Sequence, residues 1–218
     1  IVLNKFTEFK LSSNGVPADR IKICRNFVES TADRPSQKKQ PYILYIGRLS
    51  HEKGILTLLD AIHPNSKVKL IIAGTGPLSE NIKSYAASNS SKDIELLRFV
   101  SGDLKTKLIQ NAMCTIVPSE CYENAPLSII ESLSNGTPVI ASRIGGIPEM
   151  IDEGKTGLLF TPGSAQELST AITRMTNDPA MVAHMASHAL EHTMSVYNSD
   201  LHYRQLLRIY SDAATSLG

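Results

Sequence analysis

The chain has 218 residues, enough for one α/β domain with short extensions. Apolar side chains make up 42% of it, so a full core can be buried. Lys and Arg total 22 against 21 acids, a net charge of +1, which lacks the basic excess of a nucleic-acid binder and leaves room for a local phosphate pocket.

The three cysteines, Cys24, Cys114 and Cys121, form no Cys-x-x-Cys pair. Cys24 and Cys114 lie in apolar, strand-like runs and read as reduced core thiols, which points to the cytoplasm. No apolar run approaches the roughly 18–20 residues of a membrane span. Residues 1–10 lack the layout of a signal peptide, and the first residue is Ile1 rather than methionine, as in a fragment.

In chain order, residues 1–40 are expected to form an N-terminal helix and a connecting segment. Its end, 33–40, is polar, basic, contains Pro35 and reads as a loop. Residues 42–46 predict a buried strand ending at Gly47. Ile55, Leu58, Leu59 and Ile62 then recur at i, i+3, i+4 and i+7, one face of a helix. Residues 68–73 predict the next strand, closed by Gly74-Thr75-Gly76-Pro77, and 78–87 a helix. Two further strands, 94–100 and 113–117, flank a helix on Leu104, Leu108 and Ala112. Residues 127–133 predict a helix stopped by Asn135-Gly136, and strands at 138–141 and 156–160 complete the set. Leu168, Ala171, Ile172 and Met175 mark an amphipathic helix, 181–190 another, and a last helix carries Tyr203, Leu206, Leu207 and Tyr210 on one stripe.

Strands alternating with helices at this spacing predict a Rossmann-like, doubly wound parallel sheet over 41–190, with a C-terminal helix in 191–218. Ligands of such sheets sit beyond the carboxyl ends of the strands. Most of the polar motifs fall there.

The first motif is Gly47-Arg48-Leu49-Ser50-His51-Glu52-Lys53-Gly54. Its glycines allow close backbone approach, and its two cations suit a diphosphate, with a helix N-terminus adding free N–H groups. A solvated loop is the competing reading. The second runs from Pro118 to Glu131, with Pro126 placed as the first helical residue. Glu123 precedes the helix, where dipole compensation is the default role for one acid. Glu131 lies in an apolar run and needs a partner, and sugar hydroxyls are suitable donors. The third is Gly145-Gly146-Ile147-Pro148-Glu149, either a close approach to a ligand or a tight turn, with Glu149 read as a solvated acid. Gly74-Thr75-Gly76, with Glu95 further on, is a weak trace of a dinucleotide fingerprint whose third glycine position is Ser79. His184, His188 and His192 recur at i+4 without an added acid or cysteine and read as a solvated helix face, so no metal site is expected.

These blocks, in this order, resemble the carboxy-terminal domain of family-4 retaining glycosyltransferases of the GT-B fold (glycosyl transferases group 1). The matching residues are Gly47-Arg48-Leu49 with Lys53-Gly54; Ala73-Gly74-x-Gly76-Pro77; Pro118-Ser119 leading to Glu123-x7-Glu131; and Gly136-x-Pro138-Val139-Ile140 with Gly145-Gly146-x-x-Glu149. A weaker fifth block is Gly154-x-x-Gly157-Leu158-Leu159-Phe160. The resemblance implies that Arg48 and Lys53 hold the donor diphosphate and that Glu123 contacts the donor sugar. It gives Glu131 the ribose hydroxyls. Asn124, Ala125, Pro126 and Leu127 would lie along the sugar and phosphates, Gly47 beside them, and Phe99 and Val100 at the base. It further implies a UDP- or GDP-type hexose donor, no metal or other cofactor, a glycan or lipid-linked acceptor as in polysaccharide biosynthesis, and a cytoplasmic protein that can attach to the inner face of a membrane. An amino-terminal acceptor domain would be missing, leaving the fragment inactive by itself. Residues 21–28 resemble the stretch after the interdomain linker, with Arg25 in place of proline, and Asn-Ala-Pro follows Glu123 where many relatives have Gly-Phe-Gly. Arg98 stands where glycine is frequent. The alternatives are a GT-B-like sugar-nucleotide epimerase, a dehydrogenase, or a non-catalytic sugar-nucleotide sensor.

Overall fold

The computed structural model describes residues 1–28, 39–64 and 68–215. Most of the expected 33–40 loop therefore lies outside the described residues. Six strands form one sheet: β1 (Tyr42–Ile46), β2 (Lys69–Ala73), β3 (Ile94–Leu97), β4 (Cys114–Val117), β5 (Val139–Ser142) and β6 (Gly157–Phe160). Their order is β3-β2-β1-β4-β5-β6, and every pairing is parallel. This is the doubly wound, Rossmann-like sheet that the alternating pattern predicts. The inner strands are mostly apolar because helices cover both faces. Ile43, Leu70, Ile72, Cys114 and Ile140 are fully enclosed in one layer with Leu58 and Leu168, while Val117, Val139 and Ala141 face a second layer with Ile129 and Leu133.

The chain leaves β1 toward β2 on one side and returns to β4 on the other. The strand order therefore reverses between β1 and β4, and the loops after these strands open a crevice at the carboxyl end of the sheet.

Around the sheet lie α1 (Lys5–Ser13), α2 (Ile55–Ala61), α3 (Ser79–Ser88), α4 (Gly102–Asn111), α5 (Leu127–Ser134), α6 (Ala165–Asn177), α7 (Pro179–Val196) and α8 (Ser199–Thr215). Several boundaries differ from the sequence reading. Strand β3 stops at Leu97, which frees Arg98 to Ser101 as a loop into α4. Leu104 is exposed, and Ile109 packs inward in its place. Helix α7 starts at Pro179, where the Asp178 carboxylate accepts from Met181 N at 2.8 Å, and runs past residue 190.

Cys24 is buried, but next to the isolated bridge between Val2 and Ile23 rather than in a strand. In α8, Tyr203, Leu207 and Tyr210 face solvent. The helix is held by polar contacts: Gln205 Nε2 donates to Ile23 O at 2.7 Å, and His202 Nδ1 lies 2.7 Å from Arg25 O.

Candidate functional site

The loop after β1 begins with Gly47 and closes in a short 3-10 turn, His51–Lys53. Tyr45, buried in β1, donates its hydroxyl to Arg48 O at 2.7 Å and so pins the loop to the strand. Burial holds the Tyr45 phenol well above its ordinary range, and the nearby Glu123 and Glu52 carboxylates add to this. Ser50 Oγ donates to Glu52 at 2.6 Å and keeps that carboxyl low, with Arg48 and Lys53 contributing. The Arg48 side chain is exposed and makes no ion pair among the described residues.

Gly54 ends the turn at φ 67°, a left-handed conformation that costs a side chain roughly 1–2 kcal/mol. A Cβ there would also overlap the carbonyl oxygen of Pro118. Glycine is thus required because the loop after β4 passes directly over it. Glu120 N donates to Glu52 O at 2.9 Å across the same contact.

That contact brings Lys53 to Glu123. The ammonium lies 2.5 Å from Glu123 Oε1, with side-chain exposures of 32% and 15%, and Ser119 Oγ donates to the same oxygen at 2.8 Å. Among the described residues Oε2 of Glu123 accepts no hydrogen bond. Sequence reasoning paired these residues only through the family pattern, and the strand order makes them neighbours.

Glu131, in α5, pairs with Lys105 of α4, whose Nζ lies 2.6 Å from Oε1. Both line an open cleft of about 730 Å³ with Gly47, Arg48, Phe99 and Val100. The Gly74–Pro77 turn lines it as well. There Leu49 N donates to Thr75 O at 3.0 Å, and Glu95 is engaged by Lys69 at 2.7 Å, so the dinucleotide trace has neither its acid nor its open turn.

Asn124 and Ala125 face another way. Asn124 accepts at Oδ1 from Asn4 Nδ2 at 2.9 Å and from Thr7 Oγ1 at 2.8 Å, and its carbonyl also receives Asn4 Nδ2. Ala125 borders a small recess with Leu3, Asn4 and Glu149. Pro126 is the cap preceding α5 rather than its first residue, and Leu127, the first, is exposed. The pair Gly145-Gly146 packs on this same loop: Gly146 N donates to Glu123 O at 2.8 Å, and a Cβ on either glycine would overlap loop backbone. Glu149 is not a solvated acid. Its two oxygens accept from Lys5 N at 2.9 Å and Phe6 N at 2.7 Å, satisfying the N-terminus of α1 while Asn4 Oδ1 accepts from Thr7 N at 2.8 Å.

The structure therefore gathers Gly47, Arg48, Phe99, Val100 and Glu131 on one cleft and joins Lys53 to Glu123 where the loop after β1 meets the loop after β4. It turns Asn124 and Ala125 toward α1. Sequence reasoning missed Lys105 and Asn4, since nothing local marks a lysine 26 residues before its acid or an asparagine 120 residues before its partner.

The fold is a Rossmann-like parallel sheet of the kind found in GT-B glycosyltransferase domains. The model of the family described as glycosyl transferases group 1 matches residues 27–192, and the chain belongs to that family. It is 27% identical over 186 residues to an uncharacterized glycosyltransferase of Methanocaldococcus jannaschii, covering 84% of this chain and 47% of that protein. It is 25% identical over 178 residues to an alpha-D-kanosaminyltransferase of Streptomyces kanamyceticus, covering 79% and 46%. The chain thus spans about half the length of these relatives. Among solved structures, sucrose-phosphate synthase of Thermosynechococcus elongatus superposes with a TM-score of 0.86 at 24% identity, over 99% of this chain and 58% of that one. HepE of Anabaena in complex with UDP gives 0.85 at 21%, over 97% and 63%, a likeness of fold. Among the described residues no helix is long and apolar enough to cross a membrane.

Proposed function

We propose that the cleft binds a nucleoside-diphospho-sugar and that this chain is the donor half of a retaining glycosyltransferase. The sugar would be of hexose type and the acceptor a glycan or a lipid-linked glycan. The carrying observation is that Arg48 and Glu131 line one cleft at the carboxyl end of the sheet, while Lys53, on the same loop as Arg48, is paired with Glu123 of the loop after β4. Arg48, exposed and without a partner carboxylate, has its donors available for a diphosphate. Lys53, held by Glu123, offers a fixed charge beside it. As the bond to the sugar breaks, negative charge grows on the leaving diphosphate, and preplaced cations lower that barrier without a metal ion. Oε2 of Glu123 remains open to accept from a sugar hydroxyl, and Glu131 from the ribose. The chemistry of named relatives, sugar transfer from kanosaminyl to sulfoquinovosyl, supports a sugar-nucleotide donor. The UDP in the complexes of HepE and of TarM from S. aureus supports a UDP-type one.

A thermal-shift and calorimetry panel of UDP, GDP and ADP tests this. One diphosphate should raise the melting temperature in a saturable way, and Arg48→Ala should abolish most of the shift. If none of the three binds, the cleft is not a donor site.

A further inference from the structure

Lys105 is a cation on the cleft to which nothing above gives a task. It stands in the first turn of α4, directly after the loop that carries Phe99 and Val100. A lysine there opposes the helix dipole, so it does not serve α4. Its Nζ lies 2.6 Å from Glu131 Oε1, and the pair is about two-thirds shielded, with exposures of 27% and 30%. Among the described residues Glu131 Oε2 accepts no hydrogen bond. A free glutamate swings about its side-chain torsions. One whose first oxygen is fixed by a charged hydrogen bond presents the second in a single direction. An oriented, unoccupied carboxylate oxygen suits the hydroxyls of a vicinal diol.

We infer that Lys105 is a positioning residue for ribose recognition: it holds Glu131 by one oxygen so that the other meets the 2′- and 3′-hydroxyls of a ribonucleotide. This rests on the reading of the cleft as a nucleotide site. Because Lys105 hangs from the helix that the base-side loop enters, the base-facing loop and the ribose-facing acid are tied together. The site is then selective for ribonucleotides through a residue that does not itself touch the ribose.

The test is calorimetry on the 218-residue chain and its variants. The probes are the best-binding of UDP, GDP and ADP, the 2′-deoxy and 3′-deoxy forms of that nucleotide, and pyrophosphate. The unsubstituted chain should bind the ribonucleotide about tenfold more tightly than either deoxy form. In Lys105→Met the ribonucleotide should weaken by about tenfold and the preference should shrink to within about twofold, with pyrophosphate binding unchanged. Glu131→Gln should do the same, and the double variant should be no worse than either single one. Lys105→Arg should keep most of the preference. If Lys105→Met melts early, Lys105→Gln carries the same expectations. Full ribose preference in Lys105→Met overturns the inference, as does an equal loss of pyrophosphate binding, which would make Lys105 a phosphate ligand. A parent chain that binds the diphosphate but ignores the deoxy changes removes the inference and leaves the donor cleft standing. A parent chain that binds no nucleoside diphosphate removes the cleft reading and this inference with it.

Discussion

Lys53 and Glu123 lie 70 residues apart in the chain, yet their side chains meet at 2.5 Å, and that contact closes the loop after β1 onto the loop after β4. The pair links architecture to chemistry. It neutralises a carboxylate that is 15% exposed and fixes a cation at the crevice where the strand order reverses.

Substituting Lys53 therefore has two effects. Lys53→Ala should weaken nucleoside diphosphate binding by about 1.5–3 kcal/mol, the scale of a charged hydrogen bond, and should lower stability by about 1 kcal/mol because Glu123 is left without its counter-charge. Parallel calorimetry and urea unfolding would read both.

Arg48 separates the two effects. Its side chain is exposed and holds no partner carboxylate, so Arg48→Ala should cost a similar 1.5–3 kcal/mol of binding, roughly, with an unchanged urea midpoint. A large fall in stability would show that the guanidinium braces the loop, and unchanged binding in both variants would remove the phosphate assignment.

Glu149 carries a prediction that the sequence did not suggest. Its carboxylate caps the first amides of α1, so Glu149→Ala should destabilise the helix by about 1 kcal/mol, the usual worth of such a cap. Hydrogen exchange at Lys5 and Phe6 should speed up, and Asn124, held by Asn4 and Thr7, should follow. Unaltered protection at Phe6 would show that packing rather than the carboxylate keeps α1 in place.

What the sequence could tell divides along the range of the interactions. Strands and helices are set by local periodicity, so β1, β2, β4 and α2 were legible nearly to the residue. The C-terminal ends of strands were legible as places for ligands because parallel topology dictates it. Glu149, Asn4 and Lys105 were not, because each is defined by a partner in another element. The glycines show the same limit. Gly54, Gly145 and Gly146 were readable as positions needing a small residue, but the object pressing on them is a neighbouring loop, which only the fold supplies. Tyr203, Leu207 and Tyr210 had helical spacing, and spacing does not say which face is covered.

Gly54→Ala tests the loop closure directly. The left-handed backbone and the overlap with Pro118 O act together, so the variant should lose about 3 kcal/mol and release Lys53 from Glu123. A drop of less than about 1 kcal/mol in thermal or urea unfolding would mean that the two loops can part without consequence.

The last prediction concerns alkaline pH, where two neighbours titrate in opposite senses. Burial lowers the Lys39 ammonium from 10.5 to about 8, and burial raises the Cys114 thiol from 9.0 to about 12. For Lys39 the unfolded chain binds the proton more tightly, so stability rises with pH between the two values. For Cys114 the folded chain binds it more tightly, so stability falls above 9.0. Tyr42, raised from 10.0 to about 12 by burial, adds to the fall above 10.0. The parent chain should therefore gain stability from about pH 8 to 9, hold nearly level while the lysine and thiol cancel, and lose it above about pH 10. Cys114→Ala should keep rising until Tyr42 titrates. Lys39→Met, which also gives up the contacts to Gln110 O and Thr137 Oγ1 at 2.7 and 2.8 Å, should decline from about pH 9 without a plateau. Urea midpoints at half-unit pH steps would distinguish the three profiles. Identical slopes for Lys39→Met and the parent would mean that Lys39 is solvated in the folded chain and keeps its proton as freely as it does unfolded.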